Sequence, residues 1–82
     1  MWSSGTIWMN EGKTGYDYQV KHYDEPSEDF GIDGGRISKL HIKRHGENWG
    51  NTLVSYERGW DRHCPDEYEI KAVYATLIEK YN

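Results

Sequence analysis

Gly34-Gly35-Arg36 is the stretch of this chain with the clearest capacity for chemistry. Successive backbone N–H groups in a glycine turn form a concave donor site that suits an anion. Arg36, Lys39, Arg58 and Arg62 could add positive charge around it, and Tyr56 or Trp60 could stack on a base. Together these residues would suit a nucleotide-sized ligand. The pattern is not a Walker motif, and it opens no helix as a dinucleotide fingerprint does. A tight reversal between Ile32 and Ile37 explains the same residues more simply, because Asp-Gly and Gly-Gly tolerate the positive φ of a primed turn.

Four histidines and one cysteine invite a metal reading, but their spacing opposes it. His41 and His45 are four apart, which matters on a helix and not on a strand running into a turn. His63 and Cys64 are adjacent, which suits opposite directions, and no zinc or calcium loop motif is present. No metal and no cofactor is expected. Cys64 ahead of a helix N-terminus, beside His63, could be an activated thiol. Pro65 follows it, however, and no substrate pocket is implied, so packing beneath the helix start is the simpler role. The chain is read as non-catalytic.

Charge points to association. Asp24, Glu25, Glu28, Asp29 and Asp33 fall within ten residues, and Arg36, Lys39, Lys43 and Arg44 follow them. The net charge of −4 argues against general nucleic-acid binding, for which a basic face is expected. The acidic cluster, with Trp8 and Tyr23 as aromatic anchors, is the candidate docking set.

These residues need a scaffold, and 82 residues make one domain with a thin core, burying roughly 60% of the unfolded chain's surface. Four Trp and seven Tyr supply much of the buriable area, at about 150–250 Å² each. A single cysteine fits a reducing compartment. The N-terminus lacks signal-peptide features, and no apolar run approaches the ~20 residues of a membrane span. The expected location is cytoplasmic, with no membrane association.

Ser4–Met9 reads as a strand, Asn10–Gly15 as a turn, and Tyr16–Tyr23 as a strand with Tyr16, Tyr18, Val20 and His22 on one face. A loop at Asp24–Asp29 leads to a short strand or structured loop at Phe30–Ile32, then a long strand at Arg36–Arg44. That strand has a phase break: Ser38, Leu40 and Ile42 share a face, and Ile37 falls opposite them. Either Ile37 covers the second face or a bulge near Ser38 resets the register. Thr52–Glu57 is the next strand, and Arg58–His63 leads out of the sheet.

Pro65 suits the first position of a helix. Ile70, Val73, Tyr74, Leu77, Ile78 and Tyr81 make one apolar stripe along it, and Glu67 and Lys71 make an i, i+4 pair. The stripe needs the apolar sheet face of Tyr18, Val20, Leu40, Ile42, Val54 and Tyr56. The fold class is therefore α+β: an antiparallel sheet of four to five strands with one C-terminal helix packed on one face. The other face would expose Trp8, Tyr23, Ile37, Lys39, His41 and Leu53.

At Ser4-Gly5-Thr6-Ile7, at Gly31 to Leu40 and at Tyr56-Glu57-Arg58-Gly59-Trp60-Asp61 the chain resembles a group of short uncharacterised proteins of Gram-positive bacteria and their phages. The resemblance implies a common fold and no assigned activity. A phage association would imply binding of a host factor, including a component of antiviral defence. The resulting expectation is a small interaction protein that inhibits a host or defence protein. It would dock through the open sheet face or the acidic loop, with homodimerisation through that face as an equal use. The alternative is a binder that sequesters a nucleotide-like anion.

Overall fold

The computed structural model describes residues 2–82. Five strands, β1 (Trp2–Met9), β2 (Thr14–His22), β3 (Ile37–Arg44), β4 (Val54–Glu57) and β5 (Trp60–Arg62), precede one helix, α1 (Tyr68–Tyr81). The strands form a single antiparallel sheet in sequence order. This is the expected two-layer α+β domain.

Alternation along β2 sets the two faces. Tyr16, Tyr18 and Val20 are buried under α1, and Asp17, Gln19 and Lys21 point the other way. Leu40, Ile42, Val54 and Tyr56 continue the buried side, and α1 answers with Ile70, Val73 and Leu77. Tyr74, Ile78 and Tyr81 pack around this core. Each fully buried aliphatic contributes about 1.5–3 kcal/mol, so this one layer of side chains carries most of the hydrophobic stabilisation.

A bulge resolves the phase break in β3. Lys21 pairs with Lys39 and His22 with Ile37, which leaves Ser38 as the extra residue. The Ser38 hydroxyl donates to the Lys21 carbonyl at 3.1 Å. The bulge turns Ile37 to the helix side, where it is fully buried. Ile37 is therefore not on the open face, as uninterrupted alternation would have it. Leu53 is half-buried and packs against the core, so it also leaves the expected open-face set.

The connection between β2 and β3 is a closed structured loop. Asp33 (φ 50°) and Gly34 (φ 75°) both take positive φ, and the Gly35 N–H donates to Ile32 O at 2.8 Å, as a primed turn requires. The turn sits inside a long loop and does not join two strands directly. Ser27 N–H donates to Gly35 O, and Gly31 N–H to Ser27 O, each at 2.9 Å. A Cβ on Gly31 would lie 1.7 Å from Gly35 O, so the crossing needs glycine. Asn82, the C-cap of α1, seals the loop from outside. Its side-chain amide donates to Ile32 O at 3.0 Å and accepts from Ile37 N–H at 2.9 Å.

Two expectations about the C-terminal third are corrected. Arg58–His63 does not simply leave the sheet: a turn at Arg58 (φ 61°) and Gly59 folds Trp60–Arg62 back as β5. The helix starts after its N-cap at Glu67, so Pro65 lies outside it. Stacking of Trp60 on His63 (4.9 Å) and its contact with Tyr74 (5.9 Å) hold the approach to the helix. Lys71 consequently pairs with Asp66 at 2.6 Å, and Glu67 reaches Arg44 at 3.4 Å.

Candidate functional site

The uncovered face follows from strand register. Trp2, Ser4, Thr6 and Trp8 stand opposite Lys21, Gln19, Asp17 and Gly15. Asp17, Gln19 and Lys21 in turn stand opposite Lys43, His41 and Lys39, and His41 and Lys39 opposite Ser55 and Glu57. Three tryptophans border this polar field and remain well exposed: Trp2 at 51%, Trp8 at 53% and Trp49 at 39%.

Side-chain pairing stiffens the field. Asp17 accepts hydrogen bonds from Thr6 Oγ1 (2.7 Å), Lys43 Nζ (2.6 Å) and His45 Nδ1 (2.9 Å). Burial pushes the Asp17 carboxyl up, but these bonds and the Lys43 charge outweigh it and hold the group far below the usual carboxylate range. Lys43 Nζ also lies 4.9 Å from the Trp49 ring centre, and the Trp8 ring meets His45 edge-on at 5.1 Å. At the other end Lys21 lies 5.8 Å from the Trp2 ring, and His41 pairs with Glu57 at 3.2 Å. A shallow hollow of about 280 Å³ lies against Trp2 and Gln19. The result is a pre-ordered surface with aromatic corners and one shallow hollow, a form suited to recognition.

The candidate docking residues divide into two places. Trp8 faces Gly15 at one end of β2, and the loop carrying Asp24, Glu25, Glu28, Asp29 and Asp33 follows the opposite end. The seven residue steps between Gly15 and His22 span roughly 24 Å. Tyr23, whose N–H donates to Arg36 O at 2.8 Å, belongs with the loop and is half-buried. Trp8 and the acidic cluster therefore do not form one patch.

The anion-site residues are also dispersed. Gly34 N–H donates to Gly31 O and Gly35 N–H to Ile32 O, so the donors of the glycine pair are engaged within the loop. Tyr56 is buried, with its hydroxyl on Phe30 O at 2.9 Å, and Trp60 is packed between Tyr56 and His63. Arg36 is half-buried beside the loop, Arg58 sits on the β4–β5 turn, and Lys39 lies on the open face. Arg62 holds Thr52 O at 2.8 Å on β5.

A second hollow of about 400 Å³ opens at the start of α1, beside Tyr16, Arg44, Glu67 and Glu69. Its charges are spent on each other and on the Tyr16 hydroxyl, which donates to Glu69 at 3.2 Å. Cys64 is half-buried; burial pushes its thiol up, and its Sγ donates to Pro65 O at 3.5 Å. Among the described residues no three His, Cys, Asp or Glu side chains gather as a metal set would. Among the described residues no helix is long and apolar enough to cross a membrane.

Sequence reasoning missed Trp2, Trp49 and the Asp17–Lys43–His45 cluster. Alternation along β2 places Asp17 away from the core, but its partners are 26 and 28 residues distant and meet it only through register. No curated protein and no solved structure matches the chain significantly. A family model described as "Domain of unknown function (DUF7678)" matches residues 1–82. The chain thus belongs, over its whole length, to the DUF7678 family.

Proposed function

We propose that this is a small non-catalytic interaction protein that docks a protein partner on the uncovered face of its sheet. The observation that carries the reading is the placing of three exposed tryptophans around a polar field that is already hydrogen-bonded in place. Tryptophan is the side chain most enriched at interface hot spots, and pre-ordering lowers the entropic cost of binding. Lys21, Lys39 and Lys43 outnumber Asp17 and Glu57 across β2, β3 and β4, so an acidic partner surface is favoured. The one hollow on this face is shallow and encloses little, which suits a protein surface better than a small substrate.

The partner proposed is a host or antiviral-defence protein, inhibited by occupation of its surface. That form of the reading is supported by the resemblance to short phage and bacterial proteins. A free, half-buried Cys64 suits the reducing cytoplasm in which such a partner would be met.

The test is affinity capture from host lysate with wild type, Trp8→Ala/Trp49→Ala, and a loop variant with Glu25 and Glu28 changed to Gln. A stoichiometric partner should be retained by wild type and the loop variant and lost by the tryptophan variant. Loss with the loop variant alone would move the site to the acidic loop, and capture of nothing from several lysates would defeat the proposal. A nucleotide panel read by thermal shift addresses the ligand-sequestering alternative. Binding at 100 times Kd would add about 2.7 kcal/mol, and the expected result is no shift.

A further inference from the structure

We propose that β1 is a pairing edge, and that two copies of the chain join there antiparallel to make one continuous sheet. The inference uses the backbone edge of β1, which the docking reading does not, and shares with that reading only the open-face side chains Trp2 and Trp8.

Two edges end this sheet, and they are built differently. β5 is three residues long, presents exposed Asp61 and Arg62, and is bulged against β4. Short length, charge and a bulge are the usual means by which an edge strand is kept from pairing with another chain. β1 has none of them. It runs for eight residues, Trp2-Ser3-Ser4-Gly5-Thr6-Ile7-Trp8-Met9, with no charge and no proline, and its register with β2 is unbroken. Its outer row of N–H and C=O groups has no partner strand in the sheet order.

The strand is also complementary to itself. In an antiparallel pair centred on Gly5, Trp2 stands opposite Trp8 of the second copy, Ser3 opposite Ile7, and Ser4 opposite Thr6. Directly opposed residues point to the same face, so both tryptophan pairs lie on the uncovered face, where Trp2 and Trp8 are half exposed. Aromatic cross-strand pairs are among the most favourable in sheets. Gly5 meeting Gly5 brings no side chains together at the axis. An uncharged strand also lets two copies of a −4 chain meet without like charges in opposition. One strand pair is a small interface, so the association is weak and reversible.

Sedimentation of the full chain from about 1 µM to about 500 µM is the first measurement. The weight-average mass should rise from 9.7 kDa towards twice that value. Ser4→Lys/Thr6→Lys places lysine opposite lysine twice and should remain monomeric. Ser4→Glu/Thr6→Lys places opposite charges in the same positions and should restore the dimer. Circular dichroism melts confirm that each variant folds. Should either fail to fold, amide exchange on the unaltered chain decides: outward amides of β1 should slow as concentration rises. A monomer throughout, a dimer indifferent to Ser4→Lys/Thr6→Lys, or β1 exchange independent of concentration would each overturn the proposal. A dimer lost with Trp49→Ala and kept with Ser4→Lys/Thr6→Lys would also overturn it, showing face-to-face association instead.

Discussion

Three donors meet at Asp17, and that convergence makes it the most consequential polar residue of the open face. Lys43 is only 7% exposed and Asp17 18%, so removing one partner leaves the other charge buried. Asp17→Asn should lower stability near neutral pH by about 3 kcal/mol, read by urea denaturation. The pH dependence has a definite sign. The folded-state pKa is depressed below the unfolded value of about 3.9, so the stabilisation is present above that pH and is lost as pH falls through the folded value. Wild-type stability should therefore drop below about pH 4, and Asp17→Asn should flatten that limb. At the opposite end Asn82 joins α1 to the β2–β3 loop through two side-chain hydrogen bonds. Asn82→Ala should cost about 1–3 kcal/mol, a fall in Tm of roughly 4–24 °C for a domain of this size. Gly31→Ala should be at least as damaging, because the added Cβ has no space beside Gly35 O.

Among the elements, β3 carries the decision that shapes both faces. Its bulge at Ser38 puts Ile37 into the core beside the helix terminus and leaves Lys39 and His41 outside. Ile37→Ala should therefore cost about 2–4 kcal/mol by thermal or chemical denaturation, and Lys39→Ala should stay within ~0.5 kcal/mol. Equal effects of the two would mean that the strand is not bulged. The helix shows a related point. Its buried stripe of Ile70, Val73 and Leu77 is where spacing places it, but its onset is three residues later than Pro65 suggests. Stripe periodicity reports burial along the axis, whereas the first turn is set by what the preceding segment touches. Here that segment is held by Trp60 and His63.

For the molecule as a whole, the helix covers one side of the sheet and leaves the other open with tryptophans at its corners. Association with an acidic partner should slow as salt rises, with the association rate falling more than the dissociation rate changes. Surface plasmon resonance at about 50 and about 500 mM salt measures this, and a salt-independent rate would rule out a charge-guided encounter. By itself the sequence determined the fold class, the β2 alternation, the helix stripe and the chemistry of the Asp33-Gly34 turn. All four are local, written in periods of two and 3.6 or in the φ demands of adjacent residues. Tertiary structure alone decided which residues share a surface. It put Ile37 inside, moved Trp8 away from the acidic loop, engaged the glycine-pair donors within their own loop, and brought Asp17, Lys43 and His45 together. Those outcomes depend on strand register and on one inserted residue, and a shift of one position exchanges the faces of a strand.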